Sequence, residues 1–154
     1  MKSFLWGCFF VTAWMATVAI AEEEKPKADQ ADIKRIEGSW KIEKVIVNGI
    51  EIEFDEVKNF NVVNGADGSW SLQLSGEEVA KGTSTYDQTT SPKEFDFMST
   101  DGDGKETRFI GIYELDENTR RICYTNDSNP RPKEFASTPE NECALITLAR
   151  AKKE

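Results

Sequence analysis

The feature that most constrains this chain is the rhythm of its apolar residues between Ile33 and Arg150. Short runs rich in Val, Ile, Phe, Tyr, Trp and Thr alternate with polar positions and are cut at close intervals by Gly, Asn and Asp. Period-two alternation bounded by such residues marks half-buried strands. Trp40 to Val47 reads as the first strand, with Trp40, Ile42 and Ile46 on one face, Glu43 on the other and Lys44 breaking the apolar row. Asn48-Gly49 follows, and both central residues of a type I′ hairpin turn need positive φ. Ile50, Ile52 and Phe54 then alternate with Glu51, Glu53 and Asp55, and Asp55 to Asn59 fits one helical turn before Phe60 to Val63. Further strands are expected at Ser69 to Leu74, Val79 to Tyr86, Glu94 to Phe97, Glu106 to Leu115, Thr119 to Tyr124 and Cys143 to Arg150. Eight or nine strands with mostly hairpin-length links predict an all-β fold. The meander order favours an antiparallel barrel of about eight strands over βαβ units.

The amino terminus follows a different logic. Lys2 precedes an apolar stretch from Phe4 to Ile20, Ala19-Ile20-Ala21 fits an A-x-A cleavage site, and Glu22-Glu23-Glu24 comes next. That is the pattern of a secretory signal peptide over residues 1–21, with an uncleaved membrane anchor as the competing reading. The expected location is therefore secreted or periplasmic. Residues 22–32, "EEEKPKADQAD", hold almost nothing to bury and read as a disordered acidic lead-in. The barrel domain is expected over 33–150 and a charged tail over 151–154. The formal charge is −9, and −10 without Lys2. Such a surface repels phosphate backbones and anionic lipid, so neither nucleic acid nor, after cleavage, membrane is an expected partner, and a monomer is expected. The chain has no His, which removes His-based triads, His zinc sites and the usual neutral-pH general base.

Four segments, "IEGSWKIEKVIVNG", "TTSPKEFDF", "FIGIYELDENTRRIC" and "RPKEFAS", in this order and spacing, give the chain a family likeness. It resembles a small exported domain family abundant in planctomycetes and usually described as lipocalin-like, over roughly Ile33 to Arg150. The resemblance implies a lipocalin-like β-barrel and brings no settled activity with it. In lipocalin-like barrels a Gly-x-Trp lies at the closed end, and an Arg near the end of the last strand lays its guanidinium over the indole. Gly38-Ser39-Trp40 and Arg150 match those positions in order, so both residues are assigned a structural role. The cation–π contact would contribute ~1 kcal/mol. The chain departs from the family pattern at Arg120, where an apolar residue is usual. Either that face opens at a rim, or Arg120 reaches outward with its stem buried.

Cys123 and Cys143 remain after signal cleavage, and a cysteine pair in an exported chain reads as a disulfide. If Ile122, Tyr124, Ile146 and Leu148 face inward, both cysteines face outward at one end of a hairpin, and a bridge there would pin loop 124–142. Asp101-Gly102-Asp103-Gly104 has the look of a calcium loop. The twelfth position from Asp101 is however Ile112, where an acidic ligand is required, so a tight turn is the better reading and no metal is expected. Among the many carboxylates, Asp96, Asp101, Asp103, Glu106 and Glu114 read as residues of solvated strand faces and turns; no catalytic residue and no cofactor is assigned.

Trp70, Tyr86, Phe95, Phe97 and Phe109 stand on apolar faces expected to point inward. An eight-stranded barrel is just wide enough either to be filled by such side chains or to hold one small ligand. The first functional reading is an exported, non-catalytic domain that binds a small, partly apolar ligand in the barrel mouth, lined by those five aromatics. The second is a filled barrel acting as a structural or interaction domain, which meets a protein partner through loop 124–142. An enzyme is the third.

Overall fold

Each strand of the computed structural model runs antiparallel to the strands it pairs with, and the last strand returns to the first. The structure describes residues 27–152; the expected signal peptide, residues 22–26 of the lead-in and the last two residues of the tail lie outside the described residues. The elements are α1 (Lys27–Ile36), β1 (Gly38–Val47), β2 (Ile50–Glu51), α2 (Phe54–Val57), β3 (Phe60–Asn64), β4 (Ser69–Leu74), β5 (Glu77–Asp87), β6 (Lys93–Thr100), β7 (Glu106–Leu115), β8 (Thr119–Asn126) and β9 (Ala144–Arg150). Pairing of β1 with β9, from Trp40 opposite Arg150 to Val47 opposite Ala144, closes β1 and β3 to β9 into an eight-stranded barrel. β2 is a short extra strand on the end of β1. The fold is the expected all-β meander barrel of lipocalin-like type.

Local chemistry accounts for the turns. Asn48 and Gly49 have φ of 51° and 78°, the positive pair a type I′ turn needs. Ser75 and Gly76, at 52° and 90°, join β4 to β5 in the same manner. Lys44 breaks the apolar row of β1 for a structural reason. Ile42 lies opposite Leu148 and Lys44 opposite Thr147, so Glu43 is the extra residue of a β-bulge. The alternation therefore slips by one, and Val45 rather than the expected Ile46 packs against the cluster of Trp40, Ile42 and Leu148. Lys44 pairs instead with Glu51 at 2.8 Å.

Part of the expected disordered lead-in is helical. Residues 27–32 are not disordered but form the first turns of α1. Behind the polar composition is a narrow stripe: Ile33 and Ile36 pack on Tyr86, Phe95 and Tyr113, and Asp32 is buried beside them. Lys93 Nζ and the Tyr113 hydroxyl donate to Asp32 Oδ2 at 2.7 and 2.8 Å, and Arg35 reaches Oδ1 at 3.3 Å. Burial pushes the Asp32 carboxyl up, but the hydrogen bonds from Lys93 and Tyr113 and the charges of Lys93 and Arg35 outweigh it and hold the group below its ordinary value.

The end of α1 closes one mouth of the barrel. Trp40 is fully buried, and its Nε1 donates to Ile36 O at 2.7 Å. The Arg150 guanidinium lies 4.3 Å from the centroid of the Trp40 ring and donates to Glu37 O at 3.2 Å, to Arg35 O, and to Glu117 O at 3.4 Å. The last carbonyls of a helix lack partners within it, and the last strand supplies them here. Gly38, with φ of 108°, makes the sharp passage from α1 to β1 that a side chain would strain.

On the outer wall, residues 127–143 fold back over the barrel. Ile112, Cys123 and Cys143 form a buried cluster there with Phe135 and Leu145. Arg131 pins the loop: Nη1 donates to Phe95 O and Gly111 O at 3.0 and 2.8 Å, and Nη2 to Asp96 Oδ1 at 2.7 Å. The disulfide expectation is overturned, for both cysteines are free thiols. They face outward as side-chain parity requires, yet the register sets Cys123 opposite Leu145 and leaves Cys143 just ahead of β9. The thiols donate to Ala136 O and Asn141 O instead. Burial, then the neighbouring Cys143, pushes the Cys123 thiol up to about 11, and burial raises Cys143 as well.

Candidate functional site

Inside the barrel, β6, β7 and β8 present an aromatic wall. Phe97 stacks on Phe95 at 5.6 Å and on Phe109 at 4.8 Å, while Tyr124 stands edge-on to Phe97 and Phe109 at 5.0 and 5.6 Å. Trp70 of β4 meets Phe97 edge-on at 5.7 Å. The strand between Trp70 and this wall is built from small residues. Ala80, Gly82 and Ser84 of β5 lie opposite Leu72, Trp70 and Phe97. A Cβ on Gly82 would collide with the backbone of Met98 and stand 3.1 Å from the indole of Trp70, so only glycine fits under that ring. Large residues on one arc and small ones on the next do not fill the bore. They leave a cavity of about 270 Å³ lined by Trp70, Phe95, Phe97 and Phe109, with Tyr124, Leu72 and Ile122 among the others. That is near the low end of the roughly 300–1,000 Å³ common for ligand pockets.

Four of the five expected lining aromatics thus meet around one space. Tyr86 does not line it. Its ring packs toward the closed end, stacked on Phe95 at 6.0 Å and edge-on to Tyr113 at 5.3 Å.

The polar part of the site is Arg120, and neither expectation for it survives. It is 4 % exposed, so it is at no open rim and does not reach out to water. Lying opposite Leu148 and Leu115, it turns its head into the bore near the closed end. Nη2 donates to Tyr86 Oη at 2.9 Å and Nη1 to Asn64 Oδ1 at 3.5 Å, with the guanidinium 5.6 and 6.0 Å from the ring centroids of Tyr86 and Phe95. Among the described residues no carboxylate comes within ion-pair distance of it. Arg120 Nε, Asn64 Nδ2 and Trp70 Nε1 are buried donors with no acceptor among the described residues, and all three residues line the cavity. Asn64 is the residue that reading the sequence missed. The signal was its parity with Phe60 and Val62 on β3, which sends a polar side chain inward.

The surface carboxylates are engaged elsewhere. Asp96 pairs with Arg108 at 2.9 Å and Arg131 at 2.7 Å, and Glu114 with Arg121 at 2.7 Å. Asp101 accepts from the backbone N–H groups of Asp103 and Lys105, both at 3.0 Å, which is the work of a turn. No protein-family model and no curated protein matches the chain.

Proposed function

We propose that this protein is an exported, non-catalytic binding domain that takes one small, partly apolar ligand into the barrel. The observation that carries the reading is the cavity, kept open by small residues on β5 and walled by Trp70, Phe97, Phe109 and Tyr124. Among the described residues its lining holds neither carboxylate nor thiol, so Ser84, Ser99 and Tyr124 have no general base beside them there, which supports binding rather than acid–base or nucleophilic work. The Lys2, apolar stretch and Ala19-Ile20-Ala21 pattern supports export. Membership of the lipocalin-like exported family rests on the four resembling segments and agrees with the barrel.

Titration with the small neutral fluorophore 1-aminoanthracene tests this. Binding should saturate at one equivalent and quench Trp70 emission, and Ser84→Phe, which places a ring in the cavity opposite Phe97, should abolish it while the fold persists. Absence of saturable binding, or binding indifferent to Ser84→Phe, overturns the reading.

A further inference from the structure

We infer that the ligand is a monoanion on a short apolar tail, a carboxylate being the simplest head, and that Arg120 and Asn64 receive that head inside the barrel. The inference rests on the cavity reading and names its ligand class. Arginine keeps its proton in proteins, so Arg120 is a permanent cation in a place of low polarity. Buried charges are ordinarily paired with charges. Here Arg120 has a phenol oxygen, an amide oxygen at the limit of hydrogen bonding and two ring faces. All of these are dipoles or quadrupoles, and none brings a negative charge.

The one buried carboxylate among the described residues is already satisfied, since Asp32 is held by Lys93, Arg35 and Tyr113. The donors left over, Arg120 Nε and Asn64 Nδ2, belong to side chains that are 96 % and 94 % buried and line one cavity. A site offering donors around one fixed positive charge selects an acceptor with one negative charge. A cationic head would be repelled, and a dianionic phosphate would leave a charge uncompensated. Beyond the head, Leu72, Ile122, Ile146 and the aromatic wall give an apolar path for a tail. The chain's formal charge of −9 repels anions at a distance, so preference for an anion must come from inside the barrel.

The test compares octanoate, 1-octanol and octylamine, which share one tail, by displacement of bound 1-aminoanthracene. Octanoate should bind one to one and at least on the order of tenfold tighter than 1-octanol, with octylamine weaker than both. Arg120→Met should lose the preference for octanoate over 1-octanol while its melting temperature stays at or above that of the parent, because an unpaired buried charge is gone. Equal affinities for octanoate and 1-octanol in the unaltered protein, or failure of both to displace the probe, overturn the inference; so does a preference that survives in Arg120→Met. The unaltered-protein comparison decides the matter even if that variant does not fold. If 1-aminoanthracene itself fails to bind, the cavity reading falls; if it binds and octanoate shows no advantage, only the anion falls.

Discussion

Truncating Arg150 probes how the barrel is closed. In Arg150→Ala the Trp40 ring loses a guanidinium 4.3 Å away, worth ~1 kcal/mol at a partly exposed site. The carbonyls of Arg35, Glu37 and Glu117 lose their donor. Water can reach much of that rim, so each of these bonds counts toward the low side of about 0.5–1.5 kcal/mol. The sum is about 2–3 kcal/mol, which for a domain of this size is a fall in Tm on the order of 8 °C. Thermal unfolding followed by circular dichroism gives the Tm, and Trp emission reports the environment of Trp40. Arg150→Lys keeps the charge without the planar fork and should recover less than half of the loss. A Tm within about 1 °C of the parent, with unchanged emission, would refute the claim that Arg150 joins the last strand to α1.

Three further outcomes are expected. The Asp32 carboxyl is held below its ordinary value, so its stabilisation is complete above the unfolded-state pKa and fades as pH falls through the lower folded-state one. The advantage of the parent over Asp32→Asn, about 2 kcal/mol at neutral pH, should therefore shrink below about pH 4 in denaturant titrations. Alkylation at pH 8 without reductant should leave Cys123 and Cys143 unlabelled in native protein and label both after unfolding, as peptide mass mapping will show; unfolded protein that resists labelling would point to a bridge. Arg131→Ala removes the ties to Phe95 O, Gly111 O and Asp96, so limited proteolysis should cut within 127–143 sooner while the barrel core stays intact.

The sequence discloses this fold where alternation is strict and turns are chemically specific. Polar turns flank Glu106 to Leu115 and make its bounds legible, and the hairpin at Asn48-Gly49 is legible because few other residues accept positive φ at both positions. Strict parity also hid one event. A single extra residue at Glu43 reverses every face after it, and no composition signal marks a bulge. α1 is hidden in the sequence because its docking stripe holds only Asp32, Ile33 and Ile36 amid charge, and its stability comes from packing on the barrel rather than from its own propensity. The aromatic lining was readable; the emptiness beside it was not. A cavity is a sum over strands that are distant in sequence, here small residues on β5 against rings on β6 and β7. Arg120 stood out as an anomaly, but only the register shows its head inside the bore.

The site is tested most directly by the Nε–H resonance of Arg120 in a proton–nitrogen correlation spectrum of the intact domain, assigned through its loss in Arg120→Met. On saturation with octanoate that proton should move downfield as it gains a charged acceptor, and saturation with 1-octanol should leave a smaller shift. Octanoate that saturates the protein while the Arg120 Nε–H resonance stays in place would contradict the claim that Arg120 receives the anion inside this barrel.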